Sequence, residues 1–252
     1  MELSLSAALI LCLTGFIAGG INTVAGGGSN FTLPVLMMLG LPADIANGTN
    51  RISILLQSLV STAGYDRHQT LDRPAIVPVL IPTVGGGIIG AVAAALTPNL
   101  YLKPLLLGTI LTISVLILLR PDVIAPAPGT PVIATSESPR AWWGLFGAGL
   151  YGGFVQAAVG FILLAALAGG LHYDLLRANA LKTVCVLAFT SVALLIFIIF
   201  DQVWWVPGLI LAAGSMAGAH LAVKIAVRAS ASSIKWFLFL MTVCAVLASL
   251  LF

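Results

Sequence analysis

Charge is what this sequence has least of. Its 252 residues include eleven Lys or Arg and eight Asp or Glu, 8% charged in all, against about a quarter in soluble domains. So few ionisable groups cannot cover a water-facing globule, which excludes a soluble enzyme, a nucleic-acid binder and a disordered chain. The formal net charge of +3 does not signal a polyanionic partner, because membrane proteins collect Lys and Arg in cytoplasmic loops. Cysteine is scarce too. Cys12, Cys185 and Cys244 stand singly in apolar runs with no metal-ligand or disulfide spacing, and read as small buried hydrophobes. No basic stretch and no small-residue cleavage site frames the first apolar run, which is therefore expected to stay in the membrane rather than be removed as a signal peptide.

What the chain has is hydrophobic length, with 60% of its residues apolar. Apolar runs near 5–25, 45–64, 75–97, 101–119, 141–159, 175–200, 205–226 and 233–252 approach the roughly 20 residues a helix needs to cross a bilayer. Two others, 31–40 and 161–170, reach about half that length, each after a break containing glycine. A proline-rich polar stretch follows Arg120. The chain divides into a first transmembrane repeat over 1–120, a linker over 121–139 and a second repeat over 140–252.

The halves share an order of long segment, break, short segment and three more long segments, as an internal duplication would. In the best register by eye, Gly19-Gly20 through Gly26-Gly27-Gly28 lines up with Gly152-Gly153 through Gly160, and Ala46 to Arg51 with Arg177 to Lys182. If each opening pair is a hairpin, three crossings remain per half and the second half is inverted. One face then carries Arg67, Arg73, Arg120, Arg140, Lys224, Arg228 and Lys235. The other carries Glu2, Asp44, Asp201 and only Lys103, so the basic face is expected to be cytoplasmic and both termini outside. The expected fold is an all-α polytopic membrane protein of two inverted repeats, each a Gly-rich broken-helix hairpin followed by three further transmembrane helices.

Candidate binding residues concentrate at the breaks. Asn22, Thr23, Gly26, Gly27, Gly28 and Ser29 sit poorly in a lipid-facing helix, and unwound backbone at membrane depth is tolerated only inside protein or against a cavity. Such a break frees peptide N–H groups and aims the positive end of the following half-helix at an anion. A plainer reading is that the glycines let helices pack closely. Arg51 and Lys182 lie inside apolar segments at matching places in the two halves. Cations at that depth are costly and face functional cavities, the plainer alternative being snorkelling to the interface. Asn47, Thr49, Asn50, Gln156, Gly160 and Asn179 complete the polar set. Every Asp and Glu falls at a segment end or in a loop, so a centre of neutral donors and two cations favours an anion over a metal ion. No cofactor, metal or catalytic group is expected, for no nucleophile and base or metal constellation is present.

These residues carry a resemblance. Gly19-Gly20, Gly26-Gly27-Gly28, Thr32-Leu33-Pro34, Gly40-Leu41-Pro42 and Ala46 to Arg51, with a degenerate second copy around Gly152-Gly153, Ala178-Asn179 and Lys182, resemble the TauE/SafE family of sulfite exporters. The resemblance implies a multi-pass permease of the bacterial inner membrane, exporting sulfite or organosulfonates by alternating access. Its expected partners are a small sulfur-containing anion and the lipid bilayer, with no nucleic acid; a homo-oligomer stays open. A transporter of another small organic anion and a non-catalytic membrane scaffold are the alternatives.

Overall fold

A computed structural model describes residues 4–119 and 130–229. The expected segment 233–252, with Lys235 and Cys244, residues 121–129 of the linker, Glu2 and Arg120 lie outside the described residues. The described residues form nine α-helices: α1 (Leu5–Val24), α2 (Ser29–Met38), α3 (Ala43–Arg67), α4 (Ile76–Leu96), α5 (Asn99–Leu119), α6 (Pro139–Phe154), α7 (Val159–Leu164), α8 (Leu175–Ile199) and α9 (Trp205–Ala226). No strand occurs among the described residues. α7 continues into a π-helical turn, Ala165–Gly170.

The helices begin where side chains satisfy orphan amides. Ser4 Oγ accepts from Ala7 N, Ser138 Oγ from Ala141 N, and Asp174 from Leu176 and Arg177 at 3.0 Å. Four of these segments are long and apolar enough to cross a bilayer: Leu5–Val24, Arg73–Leu96, Leu175–Ile199 and Trp205–Ala226. The run expected over 141–159 ends as a helix at Phe154, because the break takes its last residues. α3 is long enough but too polar, and its polar face is buried inside the protein: Asn47, Thr49, Asn50, Arg51, Gln57, Ser58 and Ser61 are all shielded. Leu9, Leu13 and Ile17 on α1 and Leu209, Leu221 and Ile225 on α9 are exposed instead, the arrangement a lipid solvent demands.

Close approaches fix the helix directions. A Cβ added at Gly15 or Gly19 would strike the backbone of Leu211 or Ser215, and one at Gly214 or Gly218 that of Cys12 or Phe16. α1 and α9 are thus parallel and joined by reciprocal small-xxx-small faces. Gly86 and Gly90 on α4 meet Gly149 and Gly153 on α6 in the same way. Thr49 Oγ1 receives Trp204 N at 2.9 Å and Ser53 bonds Ser215 at 2.8 Å, so α3 runs with α9. Gly48 abuts Phe197 while Thr62 donates to Thr183 at 3.2 Å, so α3 runs against α8. Contacts from Gly87 to Phe189 and from Gln202 Nε2 to Ala95 O at 3.0 Å make α4 and α8 parallel.

α1, α3 and α9 therefore point one way, and α4, α6 and α8 the other. One end of the bundle gathers Arg67, Arg73, Arg140, Arg177, Lys224 and Arg228; the opposite end gathers Asp44, Asp201 and Lys103. The described members of the face expected from charge share one end, joined by Arg177, which the loop charges had not included; a plain eight-span count would have split Arg67 from Arg228. At the basic end Asp72 Oδ2 accepts from Tyr173 Oη at 3.0 Å and from Arg177 Nη2 at 2.7 Å, tying the α3–α4 loop to the start of α8. Burial, reinforced by donation to Asp72, pushes the Tyr173 hydroxyl up to about 12, so it stays a donor at physiological pH. Cysteines placed at Thr70 and Ala229 should react with an impermeant maleimide from the same side of sealed vesicles; labelling from opposite sides would contradict this arrangement.

Candidate anion site between two helix breaks

α1 and α6 end alike. Ala25 N and Gly26 N both donate to Ile21 O, at 2.7 and 3.1 Å, as Val155 N and Gln156 N donate to Tyr151 O, at 2.8 and 3.3 Å. Gly26 then turns left-handed at φ +96°, and Gln156 does the same at φ 69°, followed by Ala158 at φ 57°. A side chain in that region is strained by about 1–3 kcal/mol, so the second break performs without glycine what the first performs with it. The matching bonds place Gly26 opposite Gln156, and Asn22-Thr23 opposite Gly152-Gly153. This corrects by three residues the register in which the glycine doublets aligned. The breaks touch: Gly160 N donates to Gly26 O at 3.4 Å, and a Cβ on Gly26 would overlap Gly160 Cα.

Each break leaves helix C-terminal carbonyls without partners, and each set is taken by the cation of the opposite half. Lys182 Nζ on α8 donates to Asn22 O and Thr23 O, both at 3.0 Å, and to Asn179 Oδ1 at 2.7 Å. Arg51 on α3 donates to Gly152 O at 2.6 Å, Gly153 O at 2.7 Å and Phe154 O at 3.4 Å, to Gln156 Oε1, and to Asn47 Oδ1 at 3.2 Å. Its guanidinium also lies over the Phe197 ring, 5.2 Å from the centroid. A cation against the negative end of a helix is favourable, and more so out of water. Neither side chain snorkels: Arg51 is 0% exposed and Lys182 1%.

The two cations are apart. Lys182 sits at the level of Thr62, since its neighbour Thr183 bonds there, and Thr62 lies roughly 16 Å along α3 from Arg51 by the helical rise per residue. Asn22, Thr23, Gly26 and Lys182 line one narrow cavity together with Gln57, Ser58, Ser61, Thr183 and Val186, with Asn179 bonded behind Lys182. The cavity has room for about one water. Thr23 Oγ1 bonds Ser61 Oγ at 2.7 Å across it.

Asn47, Arg51 and Gln156 form a second group, around the end of α6. Ser29 and Asn50 form a third, where Asn50 Nδ2 donates to Ser29 Oγ at 3.3 Å and Asn50 Oδ1 accepts from Thr32 Oγ1 at 2.8 Å, securing the start of α2. Gly28 packs against Ala18 O, and Gly27 faces the Phe161 ring, so close packing accounts for part of the triple glycine. Thr49 serves the first amide of α9. Gln57, Ser58, Ser61 and Thr183 are absent from the sequence-derived set. The signal for the first three is the spacing Asn50, Gln57/Ser58, Ser61 on one face of α3; Thr183 on α8 follows Lys182 directly.

Apolar helices that bury a polar seam and place two cations at helix breaks define a multi-pass integral membrane protein with a polar interior. The sequence matches the profile described as sulfite exporter TauE/SafE over residues 11–249, and the chain belongs to that family. It is 28% identical over 239 residues to a probable membrane transporter protein, ORF9, of Sinorhizobium sp., covering 92% of this chain and 88% of that protein. A probable membrane transporter protein of Haemophilus influenzae is 27% identical over 231 residues, covering 89% and 87%. The probable membrane transporter protein YfcA of Escherichia coli K12 is 24% identical over 219 residues, covering 84% and 78%. Membership makes this chain a membrane transporter in class, consistent with the bacterial inner membrane.

Proposed function

We propose that the protein exports small sulfur-containing anions, such as sulfite or organosulfonates, by alternating access between two inverted repeats. The observation that carries this reading is electrostatic. Two cations are buried with helix-end carbonyls as partners, and no Asp or Glu is buried among the described residues, so the interior holds positive charge that an anion would offset. The family description supplies the sulfur oxyanion. Opposite running directions of α1 and α6, and of α3 and α8, support inversion, as does the exchange of caps in which each half's cation holds the other half's broken helix. In this reading the Lys182 group binds the ligand, and the Arg51 group with Gly160 is its counterpart when the pathway opens at the other end. Ser29, Thr49, Asn50, Gly27 and Gly28 shape the frame. The basic end faces the cytoplasm.

Detergent-purified protein should be stabilised by sulfite, thiosulfate or sulfoacetate in a thermal-shift panel that includes sulfate and taurine, since a ligand held by the folded state at 100 times its Kd contributes about 2.7 kcal/mol. A flat response across the panel would contradict anion binding. It would favour a scaffold, a role to which fully satisfied Lys182 hydrogen bonds are equally suited.

A further inference from the structure

We propose that Asn22, Gln57 and Ser58 supply the hydrogen bonds to the ligand beside Lys182, and that this chamber selects ligands of net negative charge and excludes zwitterions carrying an ammonium group. The inference rests on the transport reading above and assigns the groups that execute it.

The donors beside Lys182 are few. An ammonium has three N–H bonds, and those of Lys182 meet three protein acceptors, Asn22 O, Thr23 O and Asn179 Oδ1. Lys182 thus offers charge but no unspent donor, and a ligand drawn by that charge needs hydrogen bonds from elsewhere. Thr183 spends its proton on Ala180 O at 2.8 Å, and Thr23 and Ser61 are joined to each other. Three side chains remain. Asn22, Gln57 and Ser58 line the cavity, are 9%, 3% and 3% exposed, and make no side-chain hydrogen bond to any described residue. Buried polar groups are nearly always paired, so a cluster of unpaired ones around one cavity marks the place of a polar guest. Arg51 Nε, Gln156 Nε2 and Asn179 Nδ2 also hold unspent N–H bonds, but none of these residues lines this cavity. Arg51 is a positioning residue that holds the end of α6.

The same cavity tells which guest. Amide and hydroxyl donors beside an ammonium suit sulfonate or sulfite oxygens. No carboxylate lines it. The acidic residues nearest in sequence stay at the basic end and are engaged there: Asp66 with Arg73, Asp72 with Arg177 and Tyr173, and Asp174 with the first amides of α8. A ligand ammonium would lie near Lys182 without a carboxylate to offset the repulsion. Taurine and isethionate, alike in size and in the sulfonate and differing in ammonium against hydroxyl, isolate that effect. The narrow cavity must widen to admit either, and the Thr23–Ser61 bond is the contact that α1 and α3 give up.

The test is sulfite binding to the purified full-length protein by titration calorimetry, with isethionate and taurine as competitors. Ser58→Ala and Gln57→Leu should each weaken sulfite about tenfold, the equivalent of one lost hydrogen bond in a closed site, while the melting temperature without ligand stays within about 2 °C of the parent. Isethionate should displace sulfite at least about tenfold more effectively than taurine. Unchanged affinity in both variants, or taurine competing as well as isethionate, would overturn the inference while leaving anion transport standing. The competition needs no variant and stands if one fails to fold. A wild-type protein that binds neither sulfite nor isethionate would overturn the transport reading and this inference with it.

Discussion

Valine at position 26 should prevent the protein from reaching a stable fold, whereas alanine at position 27 should be tolerated. Gly26 combines two demands: its φ of +96° is a conformation a β-branched residue resists, and its hydrogen atoms face Gly160 Cα where a Cβ would overlap backbone that cannot swing aside. Strain and overlap together should cost about 3–5 kcal/mol, a large part of a typical stability margin. A Cβ at Gly27 meets only the Phe161 ring edge at 3.1 Å, which a small ring movement relieves. Gly26→Val is therefore expected to aggregate on size-exclusion chromatography in mild detergent, with Gly27→Ala monodisperse. The reverse order would mean that the two breaks do not cross at Gly26 and Gly160.

The second large effect is expected at Arg51. Arg51→Gln leaves the carbonyls of Gly152, Gly153 and Phe154 and the Gln156 amide oxygen without their charged donor in a region closed to water. Hydrogen bonds to charged groups contribute about 1.5–3 kcal/mol each, and with partial relaxation the variant should lose about 3–5 kcal/mol, seen as a fall of about 10 °C in detergent melting temperature. Arg51→Lys should lie between, because an ammonium keeps the charge but lacks the fork that spans Gly152 O and Gly153 O together. A lysine variant no better than glutamine would show that charge contributes little at this helix end.

Much of this was legible in the sequence because lipid imposes a simple code. Apolar runs gave the bounds of α1, α4, α8 and α9 within a residue or two, and loop charges grouped Arg67 with Arg228. The burial of Arg51 and Lys182 was legible from their depth in apolar segments. Their partners were not, because helix-end carbonyls carry no side-chain signature and come from the opposite half of the chain. The register between the halves slipped by three residues for a related reason: glycine doublets attract alignment, but the homologous event is the pair of amides folding back on Ile21 and Tyr151. The paired spacings Gly15/Gly19, Gly214/Gly218, Gly86/Gly90 and Gly149/Gly153 stand among so many other small residues that close helix pairs show only where backbone meets backbone. Thr49, adjacent to Asn50 and Arg51 in sequence, points to α9 instead, as one step along a helix turns a side chain through about 100°.

The central claim, that a buried cation at a helix break draws a sulfur oxyanion through this protein, is tested most directly by the initial rate of radiolabelled sulfite flux in proteoliposomes, wild type against Lys182→Gln, with folding checked by chromatography and Lys182→Arg as the charge-conserving control. The account predicts saturable flux in the wild type, a loss of at least about tenfold in Lys182→Gln and partial recovery in Lys182→Arg. No flux in the wild type, or equal flux in folded Lys182→Gln, would contradict it.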